Sequence, residues 1–124
     1  MKSKAKVVVV GGGAVGVSTL YHLAKKGWSD VVLVERKELT SGSTWHAAGL
    51  LPLFNMSYSV GQIHRYSVQL YKSLEKETGK KVGFSVVSNI RLAQTNDRMD
   101  EYHQYAGVAK TIGVKVKFLK PAQV

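Results

Sequence analysis

An α/β fold organised around a parallel, doubly wound sheet is predicted by three features near the amino terminus. Val7-Val8-Val9-Val10 is a continuous β-branched run, the pattern of a strand buried on both faces of a parallel sheet. Gly11-Gly12-Gly13 follow it and open a helical pattern, with Val17, Leu20, Tyr21 and Ala24 at i, i+3, i+4 and i+7. A second β-branched run, Val31-Val32-Leu33-Val34, closes at Glu35. Strand, glycine turn, helix and strand within about 30 residues make a βαβ unit.

The helix of that unit stops in the expected way, with Lys25 and Lys26 at the negative end of its dipole and Gly27 past the last turn. Residues 36–57 carry Ser, Thr and Gly with little periodicity and read as a long functional loop or short helical turns. A second helix is predicted from about Ser59, where Val60, Ile63, Ser67, Leu70 and Leu74 alternate spacings of three and four, and Gly79 supplies the stop. Strand-like segments follow at Val82 to Val87 and Ile90 to Ala93, joined by a turn around Ser88-Asn89, because asparagine tolerates positive φ. A third helix runs from about Asp97 to Ile112, stopped by Gly113. Val114, Val116 and Phe118 alternate with Lys115 and Lys117 as in a half-buried strand, and Pro121 is suited to the first position of another helix. Residues 1–57 therefore read as the βαβ unit with its loop, and 58–124 as a helix and the start of a separate α+β sheet.

The 124 residues suffice for one small domain. Two parallel strands and one crossover helix leave sheet faces and edges uncovered, so the doubly wound sheet is incomplete, and a fragment of a longer protein or a truncated reading frame is expected. A hydrophobic content of 44% is that of an ordinary globular chain and argues against wholesale disorder. No apolar run approaches the roughly 20 residues of a membrane span. Lys2, Lys4 and Lys6 before the valines mimic a secretory signal, but the glycines break the apolar run and no small-x-small cleavage site follows. Cysteine is absent, which excludes disulfides and thiolate metal sites in this stretch and fits a reducing compartment, the cytoplasm or, in a eukaryote, the mitochondrial matrix. The charge of +10 comes from 18 basic and 8 acidic residues scattered along the chain, so it reads as a solvated surface and not as a nucleic-acid interface.

Gly11, Gly13 and Gly16 fit G-x-G-x-x-G between a strand and a helix. The first permits a tight turn, the second leaves room for a pyrophosphate beside the backbone, and the third lets helix and strands pack closely. Phosphates then meet free N–H groups at the positive end of the helix dipole. Glu35, 19 residues after Gly16, is placed to accept the hydroxyl protons of an adenosine ribose and to repel a 2′-phosphate. FAD or NAD is favoured over NADP on this ground. The βαβ unit does not choose between those two.

The segment Thr40-Ser41-Gly42-Ser43-Thr44-Trp45-His46-Ala47-Ala48-Gly49-Leu50 offers hydroxyl and backbone donors for a second phosphate contact, then small residues that admit a flat ring system. Read from the residues alone, His46 is open between ligand, base, attachment point and hydrogen-bonded structural residue, the last being the commonest. The run from Val7 to Gly49 resembles the amino-terminal, Rossmann-like region of the D-amino-acid-oxidase-like FAD family, and within it the dimethylglycine and sarcosine dehydrogenase group. Gly-Gly-Gly-Ala-Val-Gly, Tyr-His-Leu-Ala-Lys-Lys-Gly-Trp, Val-Leu-Val-Glu-Arg and Gly-Ser-Thr-Trp-His-Ala-Ala-Gly-Leu carry the resemblance, the last being the specific element. It continues more weakly through the helix at 60–78 and Asn89-Ile90-Arg91-Leu92-Ala93, where Asn89 stands in place of a common glycine.

The resemblance implies a role for each matching residue. Gly11, Gly13, Ala14, Val15 and Gly16 line the pyrophosphate, Glu35 holds the ribose and Arg36 lies near the adenine. Ser43 and Thr44 touch phosphate or ribityl oxygens, and Ala48, Gly49 and Leu50 lie against the flavin. His46 matches the histidine joined in that group to the flavin 8α carbon. The implied reaction is oxidation of the C–N bond of an N-methylated glycine or similar small amine, with hydride transfer to FAD. An electron-transfer acceptor and a folate are implied through regions beyond this sequence, and no catalytic acid or base is assigned within it.

The remaining candidates have plainer readings. His22 reads as a packing or surface residue of the first helix, and His64 and His103 sit in no metal-ligand motif, so no metal site is expected. Trp45 is balanced between stacking near the flavin and packing under its loop. Tyr58, Tyr66, Tyr71, Tyr102 and Tyr105 suit amphipathic packing better than a base-stacking platform. Against the amine-oxidising reading stand a related enzyme with dissociable FAD and another substrate, a non-enzymatic NAD or nucleotide-binding module, and a basic nucleic-acid-binding protein.

Overall fold

The computed structural model describes residues 3–124, so Lys2 lies outside the described residues. These fall into two compact units, one ending at Leu50 and the other comprising Leu51–Val124.

In the first unit β1 (Val7–Val10) and β2 (Val31–Val34) pair in parallel, with Val7 opposite Val31 and Val10 opposite Val34, and α1 (Ala14–Lys25) crosses between them. The parallel ladder needs this long crossover, and the valine runs meet its steric demand for β-branched residues. Alternation in β1 turns Val9 toward α1, against Gly16, and leaves Val8 and Val10 exposed on the opposite face. The described residues thus cover one face of a two-stranded parallel sheet, an α/β arrangement consistent with part of a Rossmann-like domain.

The packing face of α1 matches the predicted one in part. Leu20 and Tyr21 are half-buried as expected, but Val17 is 40% exposed and Ala24 is also exposed, and Gly16 and Leu23, at i and i+7 with Leu20 at i+4, are half-buried instead. The stripe is centred on a glycine, which a count of apolar side chains does not register. A Cβ added to Gly16 would sit far inside van der Waals contact with the Gly11 carbonyl oxygen. Absence of that atom is what lets α1 approach β1.

In the second unit α2 (Tyr58–Thr78) begins at Ser57, whose hydroxyl accepts the Val60 N–H at 3.3 Å, and ends at Gly79 in the left-handed conformation. α3 (Asn96–Thr111) begins at Thr95, whose hydroxyl accepts the Arg98 N–H. The two helices pack through another glycine: Gly61 is buried against Ile112, which with Ala109 forms the fully buried core of this unit. Of the residues expected on the packing face of α2, Ser67, Leu70 and Leu74 are half-buried, whereas Val60 and Ile63 are exposed and Gly61 and His64 take the inward positions of the first turns. Arg65 on α2 donates through Nη1 to the Ile112 carbonyl at 3.0 Å, setting a cation at the negative end of α3. Phe54 is flanked by the rings of Tyr102 and Tyr105 at 5.9 and 5.4 Å and by the Arg91 guanidinium at 5.0 Å. Two of the candidate tyrosines are therefore packing residues.

The predicted strands at 82–87, 90–93 and 114–118 are not formed. Those residues have no ladder partner among the described residues, and alternation does not make a strand without one. Nor is there a turn at Ser88-Asn89, and Asn89 does not take the positive φ expected of it. Pro121 opens a single 3₁₀ turn, Pro121–Gln123.

Gly16→Ala forces a backbone shift and is expected to destabilise the chain by about 1–3 kcal/mol. Gly61→Ala, whose clash is with the Ile112 side-chain end Cδ1 and not with backbone, is expected to cost less. Urea midpoints of the two variants check this ranking, and a Gly16→Ala midpoint equal to the parent's contradicts the close approach.

Candidate dinucleotide site

The site is built where β1 ends and α1 begins. Gly11 has φ +105°, a conformation that side chains disfavour, and its N–H donates to the Val34 carbonyl at 2.8 Å, so the turn extends the β1–β2 ladder. Gly12 is buried, and both of its polar groups are engaged. Its N–H donates to Glu35 Oε2 at 2.7 Å, and its carbonyl accepts the Thr40 N–H at 2.9 Å. A Cβ at Gly12 would collide with Leu39 Cδ2 and crowd Glu35. These contacts fasten the end of β2 and the loop that follows it to the glycine turn.

α1 has no side-chain cap from Gly13, its N-cap residue, and no acid in its first turn. The Ala14 N–H instead donates to Thr44 Oγ1 at 2.9 Å, so a hydroxyl 30 residues away caps the helix. A Cβ at Gly13 would lie 3.0 Å from that same oxygen, which explains why a glycine is needed there. The N–H groups of Gly13, Val15 and Gly16 have no hydrogen-bond acceptor among the described residues. Three open amides at a positive helix end, with no acidic residue in the first turn of α1 itself, suit an anion such as a pyrophosphate.

Glu35 is half-buried, and its second oxygen, Oε1, accepts the Lys37 N–H at 3.0 Å. The Gly12 amide, then that of Lys37, and to a lesser degree the amide and guanidinium of Arg36, hold its carboxyl below the ordinary 4.5. A carboxylate oxygen accepts more than one hydrogen bond, so each retains capacity for a sugar hydroxyl. Arg36 is exposed next to it.

From Leu39 to His46 the chain runs in successive turns. Thr40 has φ +68°, unusual for a β-branched residue. Its carbonyl accepts the Trp45 N–H at 3.2 Å, while its own N–H is held by Gly12. Ser43 is exposed, as are Ala48, Gly49 and Leu50, while Thr44 is half-buried against the helix end. His46 is exposed and its ring lies 4.2 Å, centroid to centroid, from that of Trp45. Trp45 itself is 66% exposed, so it does not pack under the loop.

The fold thus gathers Gly11, Gly13, Ala14, Gly16, Glu35 and Thr44 around one turn, with Val15 beside them. Gly12, Leu39 and Thr40 complete it and were not singled out from the sequence. The extra glycine inside G-x-G was the available signal for Gly12, whereas nothing in the residue type marks Thr40, since threonine disfavours the conformation it adopts. Of the other histidines in the described residues, His64 Nδ1 lies 2.7 Å from the Pro52 carbonyl and His103 stacks on Phe118.

The Glu35 carboxyl titrates lower when folded than when unfolded, so its contribution to stability is complete above the unfolded value and is lost as pH falls through the folded one. Glu35→Gln is expected to remove that part of the acid dependence. A carboxyl that titrates at 4.5 or above by NMR would contradict the arrangement.

Comparison with known proteins agrees with this geometry. Residues 6–124 match the family model described as FAD dependent oxidoreductase. The chain is 54% identical over 101 residues, 82% of its length, to dimethylglycine dehydrogenase, mitochondrial, of Rattus norvegicus. Over 99% of its length it is 41% identical to sarcosine dehydrogenase, mitochondrial, of Homo sapiens. It is 37% identical over its whole length to the pyruvate dehydrogenase phosphatase regulatory subunit, mitochondrial, of Mus musculus. The matched stretch spans 12% of the rat protein and 14% of the other two. The glycine turn, its engaged acid and the match across 6–124 together make this chain a member of the FAD dependent oxidoreductase family.

Proposed function

We propose that the chain forms the cofactor-binding opening of an enzyme that oxidises the C–N bond of an N-methylated glycine or similar small amine. The observation that carries this reading is the union of two parts: open amides at the start of α1 beside Glu35, and the Ser43–Leu50 loop anchored there by Thr44. Names of relatives at 54% and 41% identity, dimethylglycine and sarcosine dehydrogenases, support methylated amines as substrates. FAD fits the residues present, because the glycine turn has no Cβ atoms where a pyrophosphate approaches and the helix end bears no acid. Gly11, Gly13, Ala14, Val15 and Gly16 would line the diphosphate, Glu35 would accept from the ribose, and Arg36 would lie by the adenine. The Ala14 amide is engaged by Thr44, so its residue contributes shape and the hydroxyl contributes the polar contact. Ser43, Ala48, Gly49 and Leu50 would line the ribityl and ring portions, with His46 as the point of covalent attachment. When bound, FAD supplies the hydride acceptor for the amine.

Residues 1–57 are taken as the cofactor part and 58–124 as the opening of the substrate region. An electron-transfer acceptor and a folate are the proposed partners of the whole protein. The mitochondrial relatives and the lack of cysteine support a reducing compartment, matrix or cytoplasm. Among the described residues no helix is long and apolar enough to cross a membrane.

A second reading, a flavin-holding subunit without catalytic activity, is favoured by the 37% identity to a regulatory subunit. Anaerobic addition of dimethylglycine or sarcosine to the flavin-loaded protein separates the two. Bleaching of the flavin is expected, and a spectrum unmoved by either amine supports the subunit reading. Acid precipitation should leave yellow colour in the pellet of the parent and in the supernatant of His46→Ala. Colour released equally from both would remove His46 from the attachment.

A further inference from the structure

Trp45 is the second aromatic of the loop and has no role in the assignment above. Its side chain is 66% exposed, an unfavourable position for a large apolar surface unless something else uses it. Its backbone is the better anchored part, because the Trp45 N–H closes a turn on the Thr40 carbonyl at 3.2 Å and Thr40 is itself held on Gly12 at 2.9 Å. The preceding residue, Thr44, is tied to α1 through the Ala14 N–H at 2.9 Å. These bonds, all on its amino-terminal side, fix where the indole begins.

His46 has no comparable support. Its imidazole forms no hydrogen bond among the described residues, and its ring contact is with the indole, centroids 4.2 Å apart and planes inclined by 38°. A histidine that must present one chosen nitrogen usually has the other ring nitrogen tied to a carboxylate or carbonyl. Here the one contact seen for the imidazole is the neighbouring indole, close enough at 4.2 Å to restrict its rotation. Neither ring nitrogen has a hydrogen-bond partner among the described residues, so both remain open to a ligand.

We propose that Trp45 is a positioning residue for His46: its indole holds the imidazole in place for bonding to the flavin 8α carbon. This rests on the reading of His46 as the attachment residue. In that step an imidazole nitrogen bonds to the 8α carbon, which loses one hydrogen, while the imidazole loses its N–H proton. The two electrons released pass through the flavin to dioxygen, and with the two protons they give hydrogen peroxide.

The test uses the full chain prepared without flavin and then given FAD in air, with acid-stable and total bound flavin followed separately. Trp45→Ala is expected to slow the appearance of acid-stable flavin by roughly tenfold or more, the order of penalty for a misplaced reacting group. Total bound FAD should stay within about twofold, and Trp45→Phe, which retains a ring face, should recover most of the rate. An attachment rate in Trp45→Ala equal to the parent's overturns the proposal. So does a loss of total FAD as large as the loss of acid-stable flavin, because Trp45 would then serve binding or folding. If the parent itself forms no acid-stable flavin, the His46 reading has failed and the proposal goes with it, a result distinct from the other two.

Discussion

The backbone of Gly12 is the point through which the first unit is held together. Its N–H is bound by the Glu35 carboxylate and its carbonyl by the Thr40 N–H, at 2.7 and 2.9 Å. One residue, through the two peptides that flank it, therefore joins the turn after β1, the acid after β2 and the loop that carries Thr44 and His46. The bond to the carboxylate is charge-assisted, and an amide–carboxylate pair is stronger than a neutral one. It also fixes Glu35 beside the start of α1. A negative group this close to an anion site is tolerable because its charge is already shared between two backbone N–H groups.

Thr44 has a corresponding part on the other side of the turn. Gly13 has no side chain with which to cap α1, and a Cβ in its place would press on Thr44 Oγ1. The glycine that leaves room for a ligand therefore also leaves room for the hydroxyl that caps the helix in its place. A hydroxyl that accepts from an amide still has its own proton to donate. Thr44 can thus remain bonded to Ala14 while its O–H serves an anionic oxygen.

Much of this unit was legible in the sequence because backbone requirements there are written in residue types. The valine runs announce β1 and β2, the spacing of Gly11, Gly13 and Gly16 announces the turn, and Gly27 the end of α1. Other features left no such trace. The packing faces of α1 and α2 include Gly16 and Gly61, so the apolar patterns were right at Leu20, Tyr21, Leu70 and Leu74 but missed the glycines and misplaced Val17, Val60 and Ile63, which are exposed. Hydrophobic periodicity counts side chains, whereas these contacts depend on their absence. The left-handed Thr40 was invisible for a related reason: its conformation is imposed by bonds to Gly12 and Trp45 against its own preference. The segments at 82–93 and 114–118 alternate as strands do, but pairing is a property of two segments and cannot be read from one.

The central claim is that the open amides at the start of α1 bind the diphosphate of an adenine dinucleotide. Its most direct test is titration of the ¹⁵N-labelled chain with ADP, following individual backbone amides. Saturable downfield shifts at Gly13, Val15 and Gly16, with Glu35 and its neighbours responding at the same concentrations, are the predicted result. Shifts confined to scattered lysine-rich segments such as 115–117, with the glycine turn unmoved at saturation, would contradict it.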